Sequence, residues 1–160
     1  MSGIEPSAPG IADYAMLSDC HSAALVSRHG SVYWLCLPRF DAPSIFARLL
    51  DAEGGHWVIR PAGETDVSRR YVEGTLVLET TFTTERGRAV MVDALAVGAD
   101  ERGHERGRSS PHALLRTVEC VEGVVSSGSR RRRAQLGLPL HVDSRRQLDA
   151  RSALGGRLPR

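Results

Sequence analysis

The segment Ser31–Leu37, SVYWLCL, constrains the fold more than any other, because it alternates like a strand yet is apolar on both sides. Successive side chains of a strand face opposite ways, so Val32, Trp34 and Cys36 share one face and Tyr33, Leu35 and Leu37 the other. Neither set can be left to water, and chain must cover the strand on both sides. Upstream, Ser22–Arg28 is joined to it through His29-Gly30, where glycine accepts the positive φ of a tight hairpin turn. Downstream, Pro38 has no N–H for a ladder hydrogen bond, so the chain should turn out of the sheet and deliver Arg39, Phe40 and Asp41 at the exit.

The pattern continues mainly in strands. HWVIRP ends at Pro61, and VSRRYV, TLVLETTFTT, RAVMVDALAV and ALLRTVECVEGVV follow, with turn residues at Glu73-Gly74 and at Glu85–Gly87. In TLVLETTFTT, Leu76, Leu78, Thr80 and Phe82 alternate with Val77, Glu79, Thr81 and Thr83, the mark of one buried face. One helix is expected: in DAPSIFARLLD, Asp41 stands before the first turn, Pro43 lies within it, and Ile45, Phe46, Leu49 and Leu50 follow helical spacing. Gly54-Gly55 would end it. Residues 98–111 read as a polar loop. These elements predict an all-β, mainly antiparallel sandwich with one short helix, and Trp34, Cys36 and Trp57 are its expected core.

Charge divides the chain. All 21 basic residues are Arg. Nine of them stand in residues 126–160 beside two acids, a net +7, whereas residues 1–125 carry a net −5. The last part contains no aromatic residue and no sustained period, so the expected organisation is a flexible lead (1–10), an incomplete sandwich (11–125) and a disordered Arg-rich tail (126–160). A chain without Lys points to a coding region rich in G and C, and the tail has the composition expected of a shifted reading frame.

Most other chemistries find little support. Cys20-His21 pairs a nucleophile with a base, but neighbours on a strand point apart, which makes the pair structural. Cys20, Cys36 and Cys120 form neither a disulfide framework nor a zinc pattern, and no two histidines have the spacing of a metal site. His104 and Glu105 belong to the polar loop. No phosphate-binding glycine loop follows a strand. Neither a cofactor nor a metal is expected. The sequence has no apolar run of membrane-spanning length and no secretory leader pattern, so a cytoplasmic protein is expected.

Ile11–Asp51, then GGHWVIRPAG, then RRYVEGTLVLETTF resemble, in order, the N-terminal domain of bacterial glycoside hydrolase family 15 proteins, the glucoamylase and trehalase-like enzymes. The positions that carry the resemblance are Asp13-Tyr14, Asp19-Cys20, Gly30-Ser31, Trp34–Asp41 and Trp57, while Tyr33 and Ala42 depart from the usual residues. The resemblance implies a non-catalytic β-sandwich beside a separate α/α barrel. It also implies inverting hydrolysis of α-glucosides, with two carboxylates about 6.5–9.5 Å apart, both in the barrel. The partner would be that barrel, the substrate would be reached only through it, and no catalytic residue would lie in this chain. Arg39, Phe40 and Asp41 would face the barrel or its sugar-binding mouth; the competing reading is that Arg39 and Asp41 pair locally or cap the short helix. An alternative function class is an interaction or nucleic-acid-binding module acting through Arg130–Arg133. Without aromatic residues for base stacking, that reading is the weaker one.

Overall fold

The computed structural model describes residues 9–132, with side chains to residue 126. Ten strands follow in chain order: β1 (Tyr14–Ser18), β2 (Ala23–Ser27), β3 (Ser31–Cys36), β4 (Ser44–Ala47), β5 (His56–Pro61), β6 (Asp66–Tyr71), β7 (Leu78–Thr84), β8 (Gly87–Leu95), β9 (Leu114–Gly123) and β10 (Ser127–Arg132). They form two antiparallel sheets. One runs β1-β2-β3-β5-β10 with β4 beside β3, and the other runs β6-β7-β8-β9. The molecule is an all-β sandwich, as expected from the alternating pattern.

The predicted helix is absent. Ser44–Ala47 is β4, paired with Trp34–Cys36 of β3. Helical spacing survives as one turn, in which the amides of Leu50 and Asp51 both donate to the Ala47 carbonyl. A helix this short is marginal in water, and the unfilled edge of β3 offers stronger pairing. Among the described residues, helical structure is confined to two 3-10 turns, Ile11–Asp13 and Gly103–Glu105.

The hairpin forms, with a three-residue connection instead of two. Gly30 has φ +76°, and its amide donates to the Ser27 carbonyl. No larger residue fits: a Cβ there would stand 2.7 Å from the Ile59 carbonyl and 2.9 Å from the Met91 methyl.

The two faces of β3 are covered differently from the alternation expected. Val26 pairs with Val32, but Leu25 pairs with Trp34, so a bulge interrupts the register. A bulge adds one residue and turns the following side chains to the other face. Val32 and Leu35 therefore both reach the core, whereas Trp34 is half-buried and outside it. Cys36 and Trp57 are buried. In β7, Leu78, Thr80 and Phe82 are buried as the pattern requires; Leu76 is exposed, because it precedes the strand in the turn closed by Val72 and Val77.

The core holds an ion pair that the pattern gave no reason to expect. Arg116 of β9 and Asp93 of β8 are both fully buried, 2.8 Å apart. The guanidinium also donates to the carbonyls of Trp57 in the opposite sheet and of Gly30 in its β2–β3 turn, at 2.9 and 2.8 Å, and its carbon lies 5.1 Å from the centre of the Trp57 ring. Such a charge is tolerated only when nearly every donor has a partner, as here. Arg116 thereby ties one sheet to the other.

The break expected at Val125 is a crossing between sheets. Residues 124–126 carry the chain from β9 to β10, which pairs with β5 from Ser127↔Pro61 to Arg132↔His56. Those six residues belong to a sheet, in contrast to the disorder expected of the whole tail. Residues 133–160, on which the remainder of that expectation and the frame-shift reading bear, lie outside the described residues.

Candidate functional site: the loop end around Asp19

Three connections meet at one end of the sandwich: residues 19–22 between β1 and β2, residues 37–43 between β3 and β4, and residues 96–113 between β8 and β9. Asp19, fully buried, joins two of them. Its Oδ1 accepts the backbone N–H groups of His21 and Ser22 at 3.0 and 2.8 Å, a turn that a short carboxylate side chain favours. Its Oδ2 accepts the Ser110 hydroxyl at 2.6 Å and stands 3.2 Å from His112 Nδ1. Burial raises the Asp19 carboxyl pKa, but the hydrogen bonds from Ser110, His21, Ser22 and His112 outweigh it and hold the group below the usual carboxylate range.

The remaining connection, residues 37–43, is attached to the first. The Phe40 amide donates to the His21 carbonyl at 3.0 Å, the Cys36 thiol points to the Phe40 carbonyl at 3.6 Å, and the Ser22 hydroxyl donates to the Cys36 carbonyl. The chain leaves β3 through a cis Leu37–Pro38 peptide. On the outer surface, the Arg39 guanidinium meets the Asp41 carboxylate through two hydrogen bonds, at 2.9 and 3.2 Å. Arg39 holds the Asp41 carboxyl below its ordinary value by hydrogen bonding. Phe40, between them, is 60% exposed. This is the local pairing that sequence reasoning kept as the competing account of Arg39 and Asp41, although no helix is there to cap.

Cys20 and His21 lie in the turn, not on a strand, and Cys20 has φ +72°. The His21 ring meets that of His112 edge-on, with centres 6.0 Å apart. Residues 96–113 hold themselves in place through Glu101, whose carboxylate accepts the amides of Gly107 at 2.6 Å and Ser109 at 2.5 Å. Burial works against that charge, and the amide hydrogen bonds prevail, so the Glu101 carboxyl also lies below its usual range. Gly107, with φ +86°, passes so close that any side chain would strike the Asp19 carbonyl.

Asp19 stood out in the sequence only as a position of the family resemblance, and Ser110 and His112 did not stand out at all. Asp19 is separated from Ser110 by 91 residues, and no local pattern announces such a contact. Among the described residues no cluster of His, Cys, Asp and Glu could hold a metal ion. The carboxylates of Asp19, Asp41 and Glu101 are committed to internal partners, and the outer surface of this end carries Phe40, His21 and the Arg39–Asp41 pair.

A two-sheet antiparallel sandwich with braced loops at one end places the chain in the all-β class. The particular family follows from sequence comparison: residues 3–102 match the trehalase-like N-terminal domain, and the chain belongs to that family. It is 45% identical over 127 residues to a trehalase of Mycolicibacterium smegmatis, a match covering 73% of this chain and 19% of that protein. A trehalase of Mycobacterium tuberculosis is 46% identical over the same span and shares. Trehalase 1 of Sulfolobus acidocaldarius is 44% identical over 78 residues, covering 48% of this chain and 14% of its own. The chain thus spans about a fifth of the length of the first two relatives. No solved structure matches it. The family match includes Asp19, Arg39–Asp41 and Trp57, whereas Ser110 and His112 lie beyond it. No helix of the described residues is long and apolar enough to cross a membrane.

Proposed function

We propose that this chain is the non-catalytic N-terminal sandwich of a glucoamylase- or trehalase-like glycoside hydrolase, and that an α/α barrel elsewhere in such an enzyme hydrolyses the α-glucosidic bond with inversion. The observation that carries this reading is the match to the N-terminal family alone, over about a fifth of each of two trehalases. The chemistry of the loop end supports it. Glycoside hydrolysis needs one carboxyl group that is protonated when substrate arrives. Asp19, Asp41 and Glu101 are all held toward the ionised form. Groups so held make poor proton donors at neutral pH.

Exposed Phe40, steadied by the Arg39–Asp41 pair, is the surface that this reading assigns to the barrel, close to the sugar-binding mouth. Three free thiols, Cys20, Cys36 and Cys120, favour the cytoplasm as the compartment. The test is a chimera in which residues 1–125 replace the matching part of the Mycolicibacterium smegmatis trehalase. Trehalose hydrolysis by the chimera, together with no hydrolysis of trehalose or maltose by this chain alone, is the expected result. A folded but inactive chimera, or glucose release by the chain unaided, would refute the proposal.

A further inference from the structure

We propose that Tyr71 guards the outer edge of β1, its hydroxyl closing that edge against strand pairing with β1 of a second copy of this chain. Among the described residues β1 and β6 are the last strands of their sheets. Register sets Val67, Arg69 and Tyr71 of β6 opposite Phe82, Thr80 and Leu78, all three buried, so these β6 side chains turn toward the other sheet. Val67 packs on the core. Arg69 and Tyr71 reach the backbone of the other sheet. The Arg69 guanidinium donates to the Asp13 and Val26 carbonyls at 2.9 and 3.4 Å. The Tyr71 hydroxyl accepts the Met16 amide at 2.9 Å and donates to the Met16 carbonyl at 3.0 Å.

Both backbone groups of Met16 thus face away from β2, at the centre of a five-residue strand. An open edge of this kind is a template for another chain, and proteins blunt it with charges, proline or a bulge. β1, YAMLS, has no charge and no proline, and its pairing with β2 keeps register from Tyr14↔Ser27 to Ser18↔Ala23. The Tyr14 amide is taken by the Ile11 carbonyl in the turn before the strand. Protection of the centre comes from the other sheet, through one phenol that is 42% exposed.

The strand is its own complement. A two-fold axis through Met16 would set Tyr14 against Ser18, Ala15 against Leu17 and Met16 against its copy, with no charges opposed. The two Met16 residues would then exchange both backbone hydrogen bonds. Met16 also pairs with Leu25, and Leu25 with Trp34, an apolar row exposed at Met16 and half-buried beyond it. The same axis would continue that row into the second copy.

The experiment compares the natural chain with Tyr71→Ser, Met16→Lys and the double variant, by mass from light scattering and by hydrogen exchange. In the natural chain the Met16 amide should exchange at least roughly tenfold more slowly than in the unfolded chain, and Met16→Lys should leave the mass unchanged. Tyr71→Ser, at an exposed position, should double the mass. The double variant should return it to the natural value, because two lysines directly opposed at the axis repel. The proposal is overturned if folded Tyr71→Ser keeps the natural mass, if its association survives Met16→Lys, or if Met16→Lys lowers the mass of the natural chain. A Met16 amide that exchanges at the unfolded rate overturns it as well, whether or not any variant folds.

Discussion

At the scale of single residues, Asp19 shows how one short side chain organises the loop end. Removing its carboxylate in Asp19→Ala leaves the Ser110 hydroxyl and the His21 and Ser22 amides to find new partners, at about 1 to 3 kcal/mol for each buried group left unmet. A lowered urea midpoint with an unchanged slope is the expected reading. The pH dependence has a definite sign. The folded carboxyl titrates below the ordinary carboxylate range, so its contribution is complete above the unfolded-state pKa and is lost as pH falls through the folded one. In acid, the difference between the natural chain and Asp19→Asn should therefore shrink, and denaturant midpoints from neutral to strongly acid pH would expose an opposite trend. Gly30→Ala should destabilise as well, since φ +76° and a carbonyl 2.7 Å from the new Cβ both oppose it. Sequence marked Gly30 because a turn glycine is a local signal. It marked Asp19 only as a position of the family resemblance, not as the partner of Ser110, which lies in another sheet's loop.

Elements were legible where pattern and pairing agree. β5, β6, β8 and β9 stand close to where alternation and turn residues put them; β8 alternates buried with half-exposed positions along most of its length, whereas β6 alternates half-buried with exposed ones and β9 is buried only at Leu114 and Arg116. β4 was not legible, since Ile45, Phe46, Leu49 and Leu50 satisfy helical spacing and only the vacant edge of β3 decides for a strand. The bulge in β3 was equally hidden, being a register event between two strands. It makes a measurable difference between the two tryptophans. Trp57→Ala, at a fully buried position, should cost about 3 to 5 kcal/mol. Trp34→Ala, at a half-buried position outside the core, should cost clearly less, and equal losses in denaturant unfolding would argue against the bulged register.

Across the whole molecule, the two sheets are joined through Arg116. Arg116→Met strands Asp93 without its partner in the core and should cost about 3 to 5 kcal/mol, often the margin between a folded and an unfolded domain. The double variant Arg116→Met/Asp93→Leu should recover much of that loss, because a buried pair replaced by apolar groups of similar volume is frequently neutral. Thermal midpoints of the three proteins decide the matter: a double variant no better than the single one would show that the guanidinium's bonds to the Trp57 and Gly30 carbonyls, not the ion pair, hold the sheets together. Within its own segment, ALLRTVECVEGVV, nothing local marks Arg116 as a buried charge. Its burial is a property of the opposing sheet, which supplies the carbonyls.

The sequence by itself determined that this protein is an antiparallel β-sandwich of the trehalase-like N-terminal kind, because alternation, turn glycines and family motifs are local and survive without knowledge of any distant contact. Tertiary structure alone decided which apolar run became β4, where β3 bulges, that Asp19 meets Ser110 and His112, and that Arg116 lies inside. Each of those outcomes is settled by a partner many residues away, whose vacant edge, carbonyl or hydroxyl changes the energy of a side chain that looks ordinary in its own segment.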